Sequence, residues 1–171
     1  MKKAIAILLS VLMIMVVFTA CGEKETFPQD VSCEDIMKAA QSVGEVPEAQ
    51  NIYLKSQENL DSCSMSLWVD GIFEESKELD KLKDYAIFLS AGVTTYEIAV
   101  LKAQSEKDID VLKDIINRRK QTLTLGDKGM YDPDFDVRME NAEVYNDGMF
   151  VIFLVTEDNA ASKNAIENLK K

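Results

Sequence analysis

Three cysteines, an acidic triplet and a basic triplet are the residues of this chain whose types and spacing could do chemistry. Cys21 directly follows Phe18-Thr19-Ala20. Cys33 and Cys63 stand thirty residues apart. Outside the cytoplasm such thiols can pair, and a loop of that length closed by a disulfide contributes about 3–4 kcal/mol. The alternative is two separate thiols that never come within the Cα separation of about 7 Å that a bridge needs. Both remain open. Asp132-Pro133-Asp134-Phe135-Asp136 alternates carboxylates, with Glu143 further on, close to the oxygen-ligand spacing of a calcium loop. Val137 stands where that loop requires glycine, and a strand follows instead of a helix, so a solvated acidic loop is the favoured reading. Arg118-Arg119-Lys120 near the end of a helix would serve as an anion site or, the favoured reading, complement the helix dipole and nearby acids. Glu97 is a candidate site acid, but among 30 acidic residues no general acid and base can be paired from spacing alone.

The composition removes several classes outright. The 171 residues include no histidine, which excludes Ser-His-Asp and Cys-His catalysis and histidine-ligated zinc. A formal charge of −11 argues against a nucleic-acid partner, because phosphates would be repelled. No phosphate-cradling glycine loop and no CxxC redox pair occur. No catalytic residue, cofactor or metal ligand is expected.

The amino terminus carries an address. Lys2 and Lys3 precede an uncharged apolar run, residues 4–20, which is short for a membrane span and right for the h-region of an export signal. Thr19-Ala20-Cys21-Gly22 at its end resembles the lipobox of bacterial lipoproteins. That resemblance implies cleavage before Cys21, a diacylglycerol on its sulfur and acylation of the new amino terminus. Phe18 departs from the aliphatic residue usual at its position. A plain secretory signal cut after Ala20 and an uncut anchor are the competing readings. Two or more acyl chains hold a protein stably, at about 0.8 kcal/mol per buried methylene. The segments are therefore a signal peptide at 1–20, a polar tether at 21–30 and one domain at 31–171.

The elements that must position the remaining candidates follow from periodicity. Ser32 and Asp35 form a capping box ahead of Ile36, Ala39, Ala40 and Val43 at helical spacing. Pro47 opens a second helix reaching about residue 60. Residues 64–74 fit a short strand or a packed loop. A short helix with Leu79 and Leu82 leads into strands at 85–90 and 96–103. Ser105 and Asp108 form a second capping box before a helix with Leu112, Ile115, Ile116 and Leu123 inward. Residues 127–140 read as loop. Strands at 142–145 and 149–155 flank the Asn146-Asp147-Gly148 turn, and Asp158 caps a last helix. The sum is an α+β fold: an antiparallel sheet of about four strands in a ββαββα core with packed helices, preceded by one or two amino-terminal helices. Residues 149–155 are apolar on both faces, so either the amino-terminal helices or a second subunit must cover the far side. Cover within the chain is favoured, since large bare apolar patches are unusual on monomers.

The stretch from about Tyr85 to Val155 is similar to a family of small lipoproteins from Gram-positive bacteria, classed as a domain of unknown function. Glu97-Ile98-Ala99-Val100, the helix ending near Arg118 and Arg119, Tyr131-Asp132-Pro133 and the Asn146-Asp147-Gly148 hairpin carry the resemblance. It implies a membrane-anchored domain without an assigned activity. Two functional classes remain: a noncatalytic envelope module held to the lipid bilayer through acylated Cys21, with an envelope protein or cell-wall component as partner, and a histidine-free hydrolase working through paired carboxylates. The first is expected, because no convergent polar constellation appears in the sequence.

Overall fold

Apolar runs in the middle of the chain form β2 (Leu82–Ser90), which pairs with β3 (Glu97–Ala103), and β4 (Glu143–Asp147) pairs with the wholly apolar β5 (Phe150–Val155) as a hairpin. With β1 (Ala49–Leu54) they form one antiparallel sheet in the order β1-β2-β3-β5-β4. The computed structural model describes residues 26–57, 76–92, 94–125 and 132–170. Among the described residues four α-helices pack on this sheet: α1 (Cys33–Gln41), α2 (Ile109–Leu125), α3 (Phe135–Glu140) and α4 (Asn159–Glu167). The architecture is α+β, as expected.

Every residue of β5 is buried, and the two sets of side chains along it enter two separate cores. Val151, Phe153 and Val155 join Tyr85, Ile87, Ala99 and Leu101 under Leu112, Ile115 and Ile116 of α2 and Phe135 and Met139 of α3. Phe150, Ile152 and Leu154 join Ala86, Phe88, Ile98 and Val100 under Ile36, Met37 and Ala40 of α1 and Ile166 of α4. The cover on both faces is thus intramolecular. Truncating a fully buried side chain such as Phe153 would cost about 3–5 kcal/mol.

Local chemistry fixes the element ends. Ser32 and Asp35 form the capping box of α1, the Ser32 hydroxyl accepting from the Asp35 amide at 3.1 Å and the Asp35 carboxylate from the Ser32 amide at 3.0 Å. The Asp158 carboxylate caps α4 by accepting from the Ala161 amide at 2.9 Å. Gly148 turns β4 into β5 with φ +52°.

Four expectations are corrected. Over its described part, residues 47–57, the expected second helix from Pro47 is replaced by β1 on the sheet edge and a 3₁₀ turn at Lys55–Gln57. Gln50, Asn51 and Ile52 of β1 are exposed, so the half-buried alternation that marks a strand is missing, and pairing with β2 decides its conformation. The described part of 127–140 is not all loop: Phe135 and Met139, one helical turn apart, are buried and close α3 onto the sheet. The Ser105 side chain makes no capping bond to backbone; the residue starts a 3₁₀ turn, its carbonyl accepting from the Asp108 amide at 2.9 Å and its hydroxyl donating to the Asp108 carboxylate. The expected short helix around Leu79 is likewise a 3₁₀ segment, Ser76–Lys81, with Leu82 already in β2. Residues 64–74 lie outside the described residues.

Candidate functional site

The basic triplet does not form a site. From α2, Arg118 donates to the Glu78 carboxylate at 2.6 Å, Lys120 to the Ala142 carbonyl at 3.1 Å, and Arg119 turns inward to Glu97. Arg119 Nε lies 3.0 and 3.1 Å from the two Glu97 oxygens, and Nη2 lies 2.7 Å from Oε2. Glu97 is 2% exposed and Arg119 9%, so this two-pronged pair is closed to a ligand and fastens α2 to the first residue of β3. The helix runs on to Leu125, leaving the triplet over a turn short of its end.

The acidic triplet also disperses. Asp132 is buried, and its oxygens accept from the Thr95 amide at 2.7 Å and the Asp134 amide at 3.1 Å. Burial pushes its pKa up, but those amide bonds and the Arg138 charge outweigh it and hold the carboxyl below the usual range. Asp134 and Asp136 are exposed on α3 or just ahead of it, and Glu143 pairs with Lys163 at 2.7 Å. Among the described residues no group of three or more such side chains is placed to hold a metal. Cys33 is fully buried at the start of α1, where its amide donates to Asp84 at 2.8 Å. Burial, then the Asp84 carboxylate, pushes its thiol pKa well above the ordinary value. Cys21 and Cys63 lie outside the described residues.

What the structure assembles instead is a polar hollow at one end of the sheet. Four segments meet there: the turn after α1, the residues entering β3, helix α3, and the residues leaving β5 for α4. Arg138, Asn141, Glu143, Thr156 and Glu157 line one depression of about 300 Å³. Glu45, Pro47, Thr94, Tyr96, Arg138 and Glu157 line a second of about 220 Å³. Arg138 and Glu157 belong to both. The floor is rigid: Thr156 donates through amide and hydroxyl to Asn159 Oδ1 at 2.8 Å, and Asn159 Nδ2 donates to the Asn141 carbonyl at 2.6 Å.

Each charged group has its own brace. Arg138 stands 3.7 Å from Asp132 and 3.6 Å from Asp134. Glu157 Oε2 accepts from the Glu45 amide at 3.3 Å, across a turn in which Gly44 has φ +72°. Tyr96 is buried edge-on against Phe88, and its hydroxyl has no hydrogen-bond partner. Burial, with the Glu157 charge adding to it, pushes that hydroxyl up to about 12.

Residues 78–156 match the family model of a domain of unknown function, DUF4358. No curated protein and no solved structure matches the chain. The DUF4358 segment runs from the 3₁₀ turn before β2 to the end of β5, so it contains Tyr96, Glu97, Arg119, Asp132 and Arg138. Glu45 and Glu157, the acidic wall of the hollow, lie outside the DUF4358 match. Sequence reasoning missed Tyr96, Arg138 and Glu157 as a group. The available signal was Arg138 four residues after Asp134, between the two apolar positions of α3.

Proposed function

We propose that this protein is a lipid-anchored module on the extracytoplasmic face of a cell membrane, and that it binds a ligand or envelope partner without catalysing a reaction. The observation that carries this reading is the charged start and apolar run that end in Thr19-Ala20-Cys21, only a few residues before a folded domain begins. Phe27 packs edge-on against Phe150 at 5.3 Å, and the Lys170 ammonium lies over the Phe27 ring, 5.2 Å from its centroid, so the chain docks on the domain almost at once. Residues 21–26 then span at most about 20 Å. Acylated Cys21 would hold the domain close to the bilayer.

The docking point also orients the site. Phe150 pairs with Lys102 at one end of the central strands, and Val155 pairs with Glu97 at the other. Five residue steps along the strand separate these ends by roughly 17 Å. The Arg138–Glu157 hollow is at the Glu97 end, away from the tether, where soluble or wall-linked ligands would reach it. Binding is favoured over paired-carboxylate hydrolysis because Glu143, which shares a depression with Glu157, is already held by Lys163. Labelling with a fatty-acid analogue in a bacterial host tests the anchor. The wild-type chain should take up label and Cys21→Ala should not; equal labelling of both would refute the reading.

A further inference from the structure

We infer that the hollow shared by Arg138 and Glu157 binds the α-amino carboxylate headgroup of an amino acid, its carboxylate on Arg138 and its ammonium on Glu157. This rests on the binding-module reading and names its ligand class. The two side chains line the same two depressions, yet Arg138 forms its ion pairs with Asp132 and Asp134, and none with Glu157. Opposite charges thus face a common space without closing on each other.

Both retain bonding capacity. The Arg138 contacts, at 3.7 and 3.6 Å, are too long for hydrogen bonds, so neither carboxylate closes on its guanidinium. Glu157 is exposed and accepts one long bond, from the Glu45 amide at 3.3 Å. A third polar group stands at the same wall: Tyr96 is 2% exposed, and its hydroxyl is unpartnered beside the Glu157 charge. Buried polar groups left unsatisfied are uncommon in folded proteins and call for a partner.

Charge selects the ligand class. A simple anion would meet Arg138 but be repelled by Glu157 and Glu45, whereas a simple amine would meet Glu157 and leave the Arg138 donors unused. A zwitterion with both charges on neighbouring atoms satisfies the two walls together. Depressions of about 300 and 220 Å³ suit a small headgroup, being at or below the low end of sites that take larger organic ligands.

Calorimetric titration of the full chain in detergent tests this with four probes: alanine, γ-glutamylalanine, propionate and ethylamine. Alanine presents the headgroup free, γ-glutamylalanine presents it at the end of a peptide, and the last two carry one charge each. The expected result is binding of alanine, γ-glutamylalanine or both, at least about tenfold tighter than either single-charge probe, the loss expected when one charge-assisted contact is removed. Whichever carrier binds more tightly identifies the source. Glu157→Gln keeps an acceptor for the Glu45 amide and should weaken binding about tenfold, as should Arg138→Gln. Arg138 also braces Asp132 and Asp134, so Glu157→Gln decides the matter if the arginine variant unfolds. No headgroup binding, equal binding of propionate or ethylamine, or undiminished binding by Glu157→Gln would each overturn the assignment. The fatty-acid labelling result is independent of all these outcomes.

Discussion

Arg119 on α2 holds both carboxylate oxygens of Glu97, the first residue of β3, in an interior pair from which water is nearly excluded. The pair joins the long helix to the central strand beside the end of the sheet where the Arg138–Glu157 hollow lies. Its desolvation offsets much of its attraction, so its presence says less about net stability than about what happens when one partner is removed.

Arg119→Ala would leave the Glu97 carboxylate buried without its counter-ion. The expected loss is about 3–5 kcal/mol. Replacing both residues with apolar side chains of similar volume, such as Glu97→Leu with Arg119→Met, should cost much less than the single change. Urea unfolding midpoints of the three proteins check this; equal losses for the single and double variants would contradict it.

Asp132 ties stability to pH. Its folded-state pKa lies below the unfolded value of about 3.9, because amide bonds from Thr95 and Asp134 and the Arg138 charge outweigh burial. A depressed carboxyl contributes stability that is fully present above the unfolded pKa and is lost as pH falls through the folded one. Unfolding free energy measured from about pH 5 down to pH 2 should therefore fall less steeply in Asp132→Asn than in wild type.

Gly44 and Gly148 both have positive φ, +72° and +52°, but their surroundings differ. A Cβ at Gly44 would lie 3.0 Å from Glu157 Oε2, while one at Gly148 meets nothing within 4 Å. Gly148→Ala should cost only the left-handed strain of about 1–2 kcal/mol. Gly44→Ala should cost at least that and also displace the Glu157 carboxylate. Chemical denaturation gives the first comparison, and the loss of headgroup affinity in Gly44→Ala but not in Gly148→Ala gives the second.

The sheet was largely legible in the sequence because β2, β3 and β5 owe their conformation to their own apolar content. Ile87, Phe88, Ile98 and Phe153 need two cores, and the all-apolar β5 already implied cover on both faces. Strand β1 was not legible, since Gln50, Asn51 and Ile52 face solvent and only the partner strand makes them extended. Ser32 with Asp35 and Ser105 with Asp108 look alike in sequence, yet only the first is a capping box. Asp108 is instead buried beside Lys81 and the Ser105 hydroxyl. The candidate site was hidden for a related reason. Glu45, Tyr96, Arg138 and Glu157 come from four separated segments, and no spacing along a chain reports a meeting that only the sheet topology brings about.

The proposed anchor rests on the fate of Cys21, and intact-mass spectrometry of the chain made in a bacterium with its own lipoprotein machinery addresses it directly. The predicted species begins at Cys21, lacks residues 1–20 and carries a diacylglycerol. A chain that retains Met1, or one that begins at position 21 with an unmodified thiol, would contradict it.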